Sequence, residues 1–175
     1  AELFGHWWFE GPEWLSAFLE KAGSQESSVK LTTPAEYLAH NPLQQMASPA
    51  PSSWGENGYN DAWLDTTNNW VYPLLHKAAD RMSELALAFP QPESLVRQAL
   101  NQAGRELMLA QSSDWAFILK TGTSPEYASL RTKEHLSNFN KLYEQILKKS
   151  IDREWLNKLE MQNNIFPEMD YKIYL

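Results

Sequence analysis

The chain contains no cysteine, which excludes disulfides and thiolate metal sites and is compatible with a reducing compartment. Its four histidines, His6, His40, His76 and His135, stand far apart and lack metal-ligand spacing. No metal and no cofactor is expected. Positive charge is also in short supply. Fifteen Lys and Arg stand against 22 Asp and Glu, leaving a net charge of −7. A phosphate backbone wants the opposite excess, so nucleic acid is not an expected partner. No apolar run approaches the roughly 20 residues that a bilayer span requires, and no signal peptide is read, so a membrane is not expected either. Internal repeats and low-complexity segments are missing. The 175 residues fit one domain, or one domain plus a fragment of another, and an apolar content of 43% is enough for a core.

Tryptophan, by contrast, is abundant: there are eight. The start is unusual as well. The first residue is not methionine, and Ala1-Glu2-Leu3-Phe4-Gly5-His6-Trp7-Trp8-Phe9 is dense in apolar residues from its first position. Termini are ordinarily polar and frayed, so this segment reads as the inside of a larger protein. Leu3 to Phe9 is expected to be the end of a buried strand, and Val29 to Leu31 a short one.

Helices account for most of the rest. Gly11-Pro12-Glu13 opens one, with Pro in the first turn and an acid beside it, and Trp14, Leu15, Phe18 and Leu19 form its stripe up to Gly23. Thr33-Pro34-Ala35-Glu36 is a capping box that starts a brief helix to about His40. Three long helices follow, over about residues 69–88, 93–119 and 124–149. Their stripes are Val71, Leu75, Ala78, Met82, Leu85 and Phe89; then Val96, Leu100, Ala103, Leu107 and Ala110; then Leu136, Phe139, Tyr143 and Ile146. Short connections imply antiparallel neighbours in a bundle. A fourth helix over about 152–161 carries Trp155, Leu156 and Leu159. The aromatic tail from Ile165 to Leu175 is expected to pack back on the body.

Two stretches do not fit this plain helical pattern. Ser52-Ser53-Trp54-Gly55-Glu56-Asn57-Gly58-Tyr59-Asn60-Asp61-Ala62-Trp63 mixes aromatics with turn formers and carboxylates. A core strand would not carry so many turn formers, nor a solvated linker so many rings. It is either a loop pinned to the core by its aromatics or a site for a ligand with apolar faces and hydroxyl edges, as a sugar has. The second is the end of the 93–119 helix. Continuing its stripe places Gln111 and Asp114 inward, where a buried carboxylate needs a partner and gains nothing from a helix C-terminus. Either a ligand's hydroxyls or an internal Arg or Lys would compensate.

Taken together, these stretches resemble glycoside hydrolase family 57. Ala1 to Gly11 is similar to its fourth signature region, and Ser52 to Trp63 to its fifth. Ala110-Gln111-Ser112-Ser113-Asp114-Trp115, Thr121-Gly122-Thr123, Tyr127-Ala128 and Phe166-Pro167-Glu168-Met169-Asp170-Tyr171 resemble the helical C-terminal domain of the family's 1,4-α-glucan branching enzymes. The resemblance covers essentially the whole chain.

It implies a mainly α fold, an antiparallel helical bundle with a short β segment left from an incomplete (β/α)7 barrel. Residues 1–66 would close the catalytic barrel and carry an active-site loop, and 67–175 would be the helical domain. It implies a retaining mechanism with two carboxylates about 5 Å apart. The aspartate acid/base would stand just before Ala1 and the glutamate nucleophile further upstream, so the chain alone is expected to be inactive. Trp54 and Trp63 would be paired cleft tryptophans, and Gln111 and Asp114 polar positions facing the cleft. Glu2 and His6 would orient the missing aspartate, although His6 also reads as a structural histidine at a strand end. The implied partners are an α-glucan (amylose, glycogen, maltooligosaccharides) and the rest of the catalytic barrel, in the cytoplasm. An α-amylase, amylopullulanase or 4-α-glucanotransferase of the same fold, or a non-catalytic glucan-binding module, are the competing readings.

Overall fold

The computed structural model describes residues 3–175, with the side chains of His6 and Glu56 outside that description. Its contacts gather into two units, Ala1–Ala50 and Pro51–Leu175.

In the first unit the expected strand is absent. Leu3–Trp7 forms one π-helical turn, closed by the Trp8 N–H donating to the Leu3 carbonyl at 2.9 Å. Val29 to Leu31 is not a strand either, and no strand occurs among the described residues. A strand must pair its N–H and C=O groups with a neighbour, and these two isolated segments find none here. Helix α1 (Gly11–Gly23) starts as read, with Pro12 and Glu13 in its first turn. Its stripe is not buried, however: Trp14, Phe18 and Leu19 are exposed. The rings cover one another instead, with Trp14 centred 5.4 Å from Phe18 and 5.5 Å from Trp8. Helix α2 (Pro34–His40) has the capping box in full. The Glu36 N–H donates to Thr33 Oγ1 at 3.2 Å, and the Thr33 N–H to the Glu36 carboxylate at 2.9 Å. That second bond, aided by the Thr32 hydroxyl, holds the Glu36 carboxyl below its ordinary range.

The second unit is a helical bundle of α3 (Val71–Ala88), α4 (Ser94–Ala110), α5 (Ser113–Thr121), α6 (Pro125–Leu147) and α7 (Arg153–Gln162). The stripes converge as their spacing requires. Ala78, Met82 and Leu85 of α3, Leu100, Ala103 and Leu107 of α4, Phe139 and Ile146 of α6, and Leu156 of α7 share one buried cluster. Each large apolar side chain so buried contributes about 1.5–3 kcal/mol. Helix α4 is central, packing most extensively on α6 and also on α3 and α7. The tail returns to the body. Tyr171 is fully buried, its N–H donates to Asn101 Oδ1 at 3.0 Å, and its hydroxyl donates to the Phe89 carbonyl. Gly104 lets the tail approach α4 closely, since a Cβ there would displace the Met169 methyl.

Because α4 is covered on several sides, its polar residues are also interior. Glu106 has no exposed surface, and its carboxylate accepts four bonds. Gln102 Nε2 and Asn163 Nδ2 donate to Oε1 at 2.9 and 2.8 Å. His135 Nδ1 and Asn138 Nδ2 approach Oε2 at 2.8 and 3.2 Å. Arg131 Nη2 lies 3.0 Å from His135 Nε2. A guanidinium can only donate, so Nε2 is the acceptor and Nδ1 carries the proton given to Glu106. Arg105 completes the network, donating to the carbonyls of Ile165 and Pro167 at 3.0 and 3.1 Å and pairing with Glu160 at 3.1 Å. No buried side-chain polar atom among the described residues lacks a partner.

Candidate functional site

The loop from Ser52 to Trp63 folds on itself through its small residues. The Ser53 N–H donates to the Gly58 carbonyl at 2.8 Å and the Gly58 N–H to the Gly55 carbonyl at 2.9 Å. Ser53 Oγ accepts from the Gly55 N–H at 3.0 Å and donates to the Tyr59 carbonyl. Asn57 and Gly58 take left-handed φ angles of 56° and 76°, which reverse the chain. Gly55 sits where a Cβ would collide with the Tyr59 carbonyl and lie 3.2 Å from the Trp63 ring. The result brings Trp54 and Trp63 together, with ring centroids 6.4 Å apart and planes tilted by 54°. Trp54 is 78% exposed and Trp63 is half-buried. An isolated surface indole would be free to turn. This one stands against a second ring whose backbone carbonyl accepts the Tyr72 hydroxyl of α3. Burial pushes the Tyr72 phenol up.

The segment after Trp63 ties the loop to α5. Asn68 is fully buried, and its Nδ2 donates to the carbonyls of both Ala62 and Ala116, at 3.3 and 3.1 Å. Its Oδ1 accepts from the Asp65 N–H at 2.7 Å. Asp65 in turn accepts from the Lys120 ammonium at 2.8 Å and from the Thr67 N–H at 3.0 Å. Lys120 first, and then that N–H, hold the Asp65 carboxyl at about 2.

Gln111 and Asp114 are not placed as their periodicity suggests. The expected 93–119 helix breaks at Gln111–Ser112 into α4 and α5, and both residues are exposed. Gln111 caps α4, its N–H reaching the Leu107 carbonyl at 3.0 Å. Trp115 Nε1 donates to the Leu109 carbonyl at 2.7 Å and so satisfies another orphan of the last turn. Asp114 lies in the first turn of α5 and accepts from Ser112 Oγ at 2.9 Å. Its charge therefore faces a helix N-terminus, which favours it, and no buried partner is needed. These two side chains join the tryptophan pair only indirectly, through α5 and its bonds to Asp65 and Asn68. Glu2 and the side chain of His6 lie outside the described residues.

Asn68 and Tyr72 were not singled out by sequence reasoning. The run Asp65-Thr66-Thr67-Asn68, four turn formers just before a helix, was the available signal for the first of them. No group of three metal-ligating residues occurs among the described residues, and no helix of the described chain is long and apolar enough to cross a membrane.

A family model described as "1,4-alpha-glucan branching enzyme, C-terminal" matches residues 74–174, from α3 to the end of the tail. The chain belongs to this family. Among branching enzymes, TK1436 of Thermococcus kodakarensis is 32% identical over 171 residues, 95% of this chain and 25% of that protein. The GH57-type branching enzyme of Pyrococcus horikoshii is 36% identical with a TM-score of 0.77, over 99% of this chain and 34% of that one. The α-amylase AmyC of Thermotoga maritima is 42% identical with a TM-score of 0.67, over 99% of this chain and 32% of its own. The chain thus spans about a quarter of the curated branching enzyme's length and corresponds to a C-terminal portion of the GH57 type. The family model begins beyond the tryptophan loop, whereas the structural likenesses extend over it.

Proposed function

We propose that this chain supplies one wall of the glucan cleft in a retaining 1,4-α-glucan branching enzyme. The observation that carries the reading is the exposed Trp54 ring, held against Trp63 by a loop braced on α3 and α5. Flat indoles stack on the C–H faces of glucose rings, while Gln111 and Asp114, exposed at the head of α5, offer hydrogen bonds to hydroxyls. In this reading the acid/base aspartate and the nucleophilic glutamate come from the rest of the parent protein. The nucleophile cleaves an α-1,4 bond and holds the donor segment as a glycosyl-enzyme. A 6-hydroxyl of an acceptor glucan then takes the segment, making an α-1,6 branch. Transfer must beat hydrolysis although water is in vast excess. An apolar wall that orients the acceptor and sheds water favours that outcome. Glycogen-type glucan as product and a cytoplasmic setting belong to the same proposal.

The test uses the full-length enzyme on amylose. New α-1,6 anomeric protons by NMR are expected, and Trp54→Ala is expected to raise hydrolysis relative to transfer several-fold. An unchanged ratio would remove Trp54 from this role. The 42% identity to AmyC favours one second reading, hydrolysis by the parent protein. New reducing ends without α-1,6 protons would establish it.

A further inference from the structure

A separate groove runs between α3 and α6, with a volume of about 580 Å3. Its lining is opposite in sign to the molecule. The chain carries a net charge of −7, yet Lys77 and Arg81 of α3 face Lys133 and Lys141 of α6 across the groove, with Glu144 the one carboxylate among the lining residues. Glu144 is itself engaged by Lys148 at 3.0 Å. None of the four cations forms an ion pair among the described residues. Three of them are held by aromatic faces and an amide instead. Lys133 lies 5.3 Å from the centre of the Trp70 ring and Lys141 3.7 Å from that of Trp155. Arg81 lies 4.7 Å over Tyr143 and donates to Asn140 Oδ1. A ring orients a cation without neutralising it, so the positive potential stays available to a ligand.

Neutral donors and an apolar floor complete the groove. Ser137 and Asn140 line it beside the cations, and Ala78 and Leu136, also in the lining, are buried. Helical geometry sets the charge spacing. Lys77 and Arg81 are one turn apart, about 6 Å, and Lys133 and Lys141 two turns apart, about 12 Å. A single monoanion reaches only part of such a set. We propose that this groove binds a small molecule carrying two or more linked phosphate groups, at a site distinct from the tryptophan loop. The phosphates span from α3 to α6, and any attached ring rests on the apolar floor. Binding weakens with salt, as screening of a half-open site requires.

The experiment is calorimetric titration of the 175-residue chain with pyrophosphate, ADP and inorganic phosphate at low salt. Saturable binding of one pyrophosphate per chain is expected, with inorganic phosphate markedly weaker. Lys77→Gln and Lys133→Gln should each weaken pyrophosphate about tenfold, since each removes one charge-assisted bond. Lys158→Gln, on α7 and paired with Glu154, should change nothing. Circular dichroism checks that each variant is folded. ADP binding tighter than pyrophosphate identifies a nucleotide-type ligand, and equal affinity identifies the phosphates alone as what is recognised; both support the site. No saturable binding of pyrophosphate at millimolar concentration overturns the proposal. So does an equal loss in Lys158→Gln, which would mean diffuse attraction.

Discussion

Removing the Glu106 carboxylate tests what holds α4, α6 and the tail together. Glu106→Ala leaves four donors, on Gln102, Asn163, His135 and Asn138, in a region with no exposed surface at Glu106 or His135. Each orphaned donor costs about 1 kcal/mol or more, and breaking a buried charged network costs about 3–5 kcal/mol. We therefore expect a loss of about 4 kcal/mol, or about 8–16 °C in Tm at 2–4 °C per kcal/mol for a chain of this size. Glu106→Gln keeps the shape but retains a single acceptor oxygen. Its amide NH2 must face either Gln102 and Asn163 or His135 and Asn138, so about half the loss is expected, about 2 kcal/mol. Urea unfolding followed by circular dichroism gives both values, provided the slope m is unchanged. A loss below about 1 kcal/mol for the alanine variant would refute the reasoning. It would mean that amide flips or water satisfy the donors, and that the network does not bind these elements together.

Two further outcomes concern the loop. The Asp65 carboxyl titrates at about 2 in the fold, below its ordinary 3.8, so its bond to Lys120 stabilises the fold above pH 4 and is lost as pH falls from 4 to 2. An NMR titration of Asp65 should show this midpoint, and Lys120→Met should return it toward the usual carboxylate range; an unshifted midpoint in the parent chain would remove the ion pair. Gly55→Ala places a methyl against the Tyr59 carbonyl and the Trp63 ring, at about 1–3 kcal/mol of local strain. The expected readout is a change in tryptophan fluorescence and weaker maltooligosaccharide binding, with the bundle's circular dichroism retained.

Much of the bundle was legible because its stripes are long. Met82, Leu100, Phe139 and Leu156 repeat at helical spacing, and all are fully buried. The Thr33 capping box was equally local and equally visible. The break at Ser112 was not, because Gln111-Ser112-Ser113 contains neither Gly nor Pro and keeps the register of the stripe. Continuing that register through the break turned two exposed residues inward. Glu106 and His135 were hidden for a different reason. Periodicity assigns the polar face of a helix to solvent, whereas α4 is enclosed on several sides. Leu3 to Phe9 read as a strand because short apolar runs do not distinguish a strand from a helical turn. The loop itself was recognisable by composition, but which of its rings is anchored was not. Trp63 is half-buried and anchored to α3, whereas Trp54 is exposed and rests against it.

That pinning has a kinetic consequence. One amide side chain, Asn68, bridges Ala62 and Ala116, positions 54 residues apart along the backbone by simple difference, and Lys120 repeats the link to Asp65. Opening of the segment at this bridge and loss of its bonds to α5 are therefore one event. Any excursion that carries Asp65 and Asn68 away from the bundle must also release the Ala116 carbonyl and the Lys120 ammonium, so opening this segment costs bonds on α5 as well.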